Sequence, residues 1–97
     1  MAEHAHVVRI ARFRPAAGKR DELTSRLKEG AEQIREMDGC FGAQICMARE
    51  TPDEVVAISR WASQSALDSF LQQSEERRRQ LGSMLSGTPT VETLTSV

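Results

Sequence analysis

The chain has 97 residues, 13 of them basic and 14 acidic, for a formal net charge of −1. That length is one domain, taken here as 1–97, and the even balance excludes the basic excess of a nucleic-acid binder. Leu, Ile, Val and Phe number only 20, near the lower edge of what builds a core, so burying apolar area against a second copy would help so short a chain.

The opening Met1-Ala2-Glu3-His4 carries no basic run, and no apolar stretch reaches membrane-spanning length. A cytoplasmic protein without membrane contact is therefore expected. His6 to Arg14 alternates as a strand does, with Val8 and Ile10 on one face and Val7, Arg9, Ala11 and Phe13 on the other. Pro15 and Gly18 end it. Lys19 to Met37 reads as a helix whose stripe is Leu23, Leu27, Ala31 and Ile34. Asp21 and Glu22 favour its N-terminus, and Asp38-Gly39 closes it with Gly39 as a left-handed cap.

Phe41 to Arg49 and Glu54 to Trp61 follow as strands around a Thr51-Pro52-Asp53 turn. The run Val55-Val56-Ala57-Ile58 predicts burial on both faces. Ser63 or Ser65 caps a second helix bearing Ala66, Leu67, Phe70 and Leu71. A bend at Gln72-Gln73-Ser74 follows, with Ser74 capping a further segment whose apolar side is Leu81, Met84 and Leu85 and which Gly87 ends. Arg77-Arg78-Arg79, preceded by Glu75-Glu76, reads as a solvated helix face. Thr88 to Val97 is the last strand, with Pro89 at its start.

The order is β-α-β-β-α-β, an α+β, ferredoxin-like arrangement: a four-stranded antiparallel sheet with its helices on one face. The other face, with Val8 and Ile10, is left bare, and face-to-face packing of two copies would cover it, so a homodimer is expected. Cys40 and Cys46, placed on one strand, would have Cα atoms about 20 Å apart, beyond the ~7 Å a disulfide spans. They are read as reduced thiols, and no neighbouring His completes a metal set with them.

Three segments resemble the antibiotic-biosynthesis monooxygenase family. Val7-Val8-Arg9-Ile10-Ala11-Arg12-Phe13-Arg14-Pro15 with Gly18-Lys19-Arg20-Asp21-Glu22-Leu23 is similar to the family's opening. Asp38-Gly39-Cys40-Phe41-Gly42 is similar to its entry into the second strand. Ser59-Arg60-Trp61-Ala62-Ser63, followed by Ala66-Leu67, resembles its strand-end Trp, spacer and helix-opening Ser. Together they cover most of residues 7 to 71. The resemblance implies a dimeric α/β barrel. Its relatives include oxygenases that oxidise electron-rich phenols, anthrones or quinols without metal or flavin, others that degrade haem, and many of no known activity. The haem-degrading branch carries an Asn on the first strand, a Trp in the second helix and a His further on. Those positions here are Arg9, Phe70 and Gln80, so haem degradation ranks below a cofactor-free reaction, and no proximal His offers an axial ligand.

The expected function is a monooxygenase acting on an aromatic or quinoid small molecule with no cofactor and no metal. The alternative is a non-catalytic small-molecule-binding or stress-associated module of the same barrel fold, which the absence of any Tyr favours. A cofactor-free oxygenase needs an apolar wall, a base or cation near the developing anion and room for oxygen, and the natural place is between sheet and helices. Arg9, on the helix-facing side with Phe13, would hold an oxyanion by two donors, or else pair with a helix carboxylate. Trp61 would stack on the substrate, or else pack the helix start and bond through its indole N–H. Phe70 and Met84 would line a pocket or serve as plain core. Gln80 is polar beside an apolar stripe. His4 and His6 share an H-x-H spacing suited to a metal, at the fraying end of the chain.

Overall fold

Alternation of side chains decides the first strand, β1 (Val7–Phe13), in which Val7, Ala11 and Phe13 are buried and Val8, Ile10 and Arg12 are not. The computed structural model describes residues 6–97. Helix α1 (Arg20–Ile34), strands β2 (Cys40–Met47) and β3 (Val55–Trp61), helices α2 (Gln64–Gln73) and α3 (Glu75–Gln80) and strand β4 (Thr90–Thr95) follow, with one 3₁₀ turn at Leu81–Met84. The strands pair antiparallel in the order β2-β3-β1-β4, the ferredoxin-like arrangement expected.

Register places three helix-facing rows side by side. Cys40, Trp61, Val7 and Thr95 form one; Ala43, Ser59, Arg9 and Thr93 the next; Ile45, Ala57, Ala11 and Val91 the third. Two apolar clusters grow on this floor. One joins Ala11, Phe13, Leu23, Val55, Leu81 and Met84. The other joins Val7, Trp61, Leu67 and Phe70, with Trp61 fully buried.

Several boundaries differ from the periodicity. Helix α1 stops at Ile34, and Met37 lies beyond it, half-buried against the Trp61 cluster. Arg35 turns back instead, its Nε donating to the Ala43 carbonyl at 2.9 Å. Gly39 therefore does not cap the helix. Its φ of 82° serves the entry into β2, where a Cβ would stand 2.7 Å from that of Ala66, a close approach and a left-handed turn that only glycine allows. Ser63 caps α2, its Oγ accepting from the Ala66 N–H at 3.1 Å. Ser74 separates α2 from α3 but makes no side-chain cap; its hydroxyl accepts from Arg78 Nε at 3.2 Å. Gly87 lies past the 3₁₀ turn, which ends at Met84, and bends the chain into β4.

β3 is buried on one face only. Val55, Ser59 and Trp61 are enclosed beneath the helices, whereas Val56 and Ile58 share the half-covered outer face with Val8 and Ile10. A β-bulge between Cys40 and Gly42 inserts Phe41, which is 64% exposed. The extra residue breaks the two-residue period. Cys40 thus packs with the Trp61 cluster, while Cys46 pairs with Val56 on the outer face. Both thiols are free. No helix among the described residues is long and apolar enough to cross a membrane.

Candidate functional site

Between the two clusters the helix–sheet interface is hollow. A cavity of about 200 Å³ lies there, under α1 and α3. Small side chains create it. Ala43, Ala57 and Ser59 form the floor, and Gly30 and Ala31 face them from α1. Leu27 and Ile34 are half-buried, each bordering this space while packing against one of the clusters. Phe13 closes one end and Phe70 the other.

Arg9 rises from the centre of the floor. Its Cζ lies 5.9 Å from the Phe70 ring centroid, a cation–π arrangement. Burial, and secondarily the neighbouring Arg78, push its pKa down. Trp61 stacks on the far side of Phe70, with centroids 5.1 Å apart. Its indole N–H donates to Ser59 Oγ at 2.9 Å. Phe70 thus stands between a half-buried cation and a fully buried Trp.

The structure brings Arg9, Phe13, Phe70 and Gln80 to one cavity. Trp61 and Met84 lie outside its lining, each in an apolar cluster. Trp61 meets the site through Phe70 and through its indole bond to Ser59. His4 falls outside the described residues, and His6 sits edge-on to Phe41 at 5.9 Å, away from the cavity. No group of three or more His, Cys, Asp or Glu among the described residues is placed to hold a metal ion.

Against this geometry the comparisons with known proteins are informative. The sequence profile of the family described as antibiotic biosynthesis monooxygenase matches residues 6–79. The chain belongs to the antibiotic biosynthesis monooxygenase family. Among solved structures, Rv0793 from Mycobacterium tuberculosis is similar at 28% identity, with 95% of each chain covered and a TM-score of 0.87. A Deinococcus radiodurans protein, named as a candidate antibiotic biosynthesis monooxygenase, shares the fold at 15% identity, covering 94% of this chain and 92% of its own, with a TM-score of 0.86. PA3566 from Pseudomonas aeruginosa does so at 17%, covering 100% and 99%, with a TM-score of 0.85. No curated protein matches the sequence.

In this member of the antibiotic biosynthesis monooxygenase family, the arginine run is not a uniformly solvated face. Arg77 and Arg79 are exposed, Arg79 pairing with Glu75 and Glu76, whereas Arg78 is half-buried. Arg77 and Arg78 line the cavity. Arg77 donates to Gln33 of α1 and lies across Gly30, where a Cβ would come within 3.2 Å of its Nη1. Arg78 is half-buried, its Nη2 donating to the Leu71 carbonyl at 2.6 Å. The one sequence signal for this contact was a glycine inside a helix, which costs about 0.5–1 kcal/mol relative to Ala and so asks for a packing reason.

Proposed function

We propose that this protein is a monooxygenase acting on a small aromatic or quinoid compound without a bound cofactor. The single observation that carries this reading is the largely apolar cavity with the half-buried Arg9 guanidinium facing it. Its 200 Å³ is below the ~300–1,000 Å³ of drug-sized sites, which suits a compact ring system. Phe13, Phe70, Leu27, Ile34 and Ile45 give the ring apolar walls. Arg9 supplies a fixed positive charge where a substrate oxyanion develops.

The chemistry needs little more. A ring CH₂ activated by a neighbouring carbonyl or phenol loses a proton, and the carbanion passes one electron to O₂. The two radicals join as a peroxide at that carbon. Loss of water then leaves a carbonyl, one oxygen atom entering the product and the other leaving as water. Arg9 would stabilise the enolate oxygen and so raise the share of carbanion present. Glu29 is the one carboxylate at the cavity, and neither His nor Tyr lines it.

Oxygen uptake by metal-free protein with anthrone and naphthohydroquinone tests the reading. Turnover above buffer is expected, falling about 10²-fold in Arg9→Gln, the usual cost of removing one oxyanion donor. Binding without uptake across such a panel would leave the non-catalytic binding module, and neither binding nor uptake would remove both.

We further infer that the protein works as a homodimer closed through the outer sheet face. Val8, Ile10, Val56 and Ile58 lie half-buried there, and Leu94 is 42% exposed. Sedimentation velocity at micromolar concentration should show a dimer, and a lone protomer would overturn the inference.

A further inference from the structure

The cavity is lined by four arginines, Arg9, Arg26, Arg77 and Arg78, against Glu29 alone, in a chain whose net charge is −1. Positive charge is therefore gathered at this one place. Arg9 is the deepest of the four and donates to no protein acceptor among the described residues; its one partner there is the face of Phe70. Arg78 cannot swing away, because Nε is held by Ser74 and Nη2 by the Leu71 carbonyl. Its remaining N–H groups stay at the cavity. Neither Arg9 nor Arg78 forms an ion pair among the described residues.

Two half-buried guanidiniums that face one partly open cavity repel each other, and Arg9 loses hydration by its burial. Burial and Arg78 both act against the charge on Arg9. Such an arrangement is unfavourable until an anion joins it. The apolar walls say what else that anion carries, since Phe70 and Ile45 offer a ring-sized surface beside the charge. We propose that the cavity takes its aromatic ligand as a preformed anion, whose carboxylate or enolate oxygens lie between Arg9 and Arg78 while its ring rests on Phe70. The proposal rests on the cavity being the ligand site and is independent of turnover. It also answers the poor supply of bases: a substrate that enters already ionised asks the protein for a counter-charge, and the lining supplies that in excess.

The test compares two near-isosteres, 2-naphthoate and 2-naphthamide, by titration calorimetry on the full chain. The expected result is binding of the naphthoate at least about 10-fold tighter, the ratio that one charge-assisted contact supports. That preference should fall to within about 2-fold in Arg9→Gln and in Arg78→Gln, and should shrink as salt is raised. A thermal melt of the ligand-free protein adds a readout that needs no ligand: Arg9→Met, which removes a half-buried charge with no ion-pair partner among the described residues, should melt no lower than wild type. Equal affinity for acid and amide, an unchanged preference in Arg9→Gln, or no saturable naphthoate binding up to about millimolar would each overturn the proposal. Naphthoate preference without oxygen uptake would leave it standing and remove the oxygenase reading. Equal turnover of charged and neutral substrates would do the reverse.

Discussion

The two ends of the helix–sheet interface and its middle are built from the same elements, yet the ends are filled and the middle is hollow. At the ends, large side chains come from both layers: Trp61, Leu67 and Phe70 at one, Phe13, Leu23 and Met84 at the other. In the middle, Ala43, Ala57 and Ser59 meet Gly30 and Ala31. A protein interior normally closes such gaps, because unfilled space forfeits dispersion contacts. Here the filled ends hold the layers apart, and the large buried side chains are concentrated in them.

The contrast is most severely tested at Trp61. Trp61→Ala removes a fully buried ring and should cost about 3–5 kcal/mol, read as a fall in the urea midpoint, with the unfolded fraction rising visibly at room temperature. A milder pair probes neighbouring alanines. Ala11 and Ala57 face each other across β1 and β3, but only Ala57 borders the cavity. Ala11→Leu should cost about 1–3 kcal/mol by overpacking, whereas Ala57→Leu should fold with a change under ~1 kcal/mol and lose aromatic ligand binding. Equal destabilisation by both in denaturant melts would contradict a hollow centre. The smallest effect is expected at Gly30→Ala. The helix gains about 0.5–1 kcal/mol, and Arg77, touched only at its flexible end, shifts aside. The thermal midpoint should rise by a few degrees.

Acidity offers no comparable lever on Arg9. Its folded-state pKa is pushed down, so the unfolded chain holds that proton more tightly and protonation opposes folding. Below the lowered value the penalty is constant, and it is relieved only in strong alkali. Between pH 6 and 9 Arg9 should leave stability flat, which denaturant titrations can check, and substitution rather than pH is the way to release the cost.

Much of the fold could be read from the residues. Alternation in β1, the Leu23–Leu27–Ala31–Ile34 stripe and the Ser63 cap are local signals, and tertiary packing left them in place. The site was only half legible. Arg9 and Phe13 could be assigned to the helix-facing side because β1 alternates cleanly. Trp61 and Met84 invited a pocket role by chemistry, and the structure sets them in the clusters because large apolar side chains fill whatever space the layers offer. The hollow itself had no local signature. It depends on Ala43, Ala57 and Ser59 arriving in adjacent registers opposite Gly30, a coincidence of separate strands and a helix that no single window contains. The arginine run misled for a related reason: α3 is short, and which of its three cations turns inward depends on Ser74 and Leu71, both of the preceding turn.

The inserted Phe41 has a practical corollary for the two sulfurs. By sending Cys40 inward and leaving Cys46 outward, it gives one strand a pair of reporters with separate meanings. If protomers associate through the outer face as proposed, alkylation of Cys46 should slow on association and quicken on dilution, whereas Cys40, half-exposed beside the Trp61 cluster, should be indifferent to dilution and quicken as that end of the molecule opens. A mass-resolved labelling time course on unmodified protein would thus follow assembly and unfolding at once, without adding a single probe.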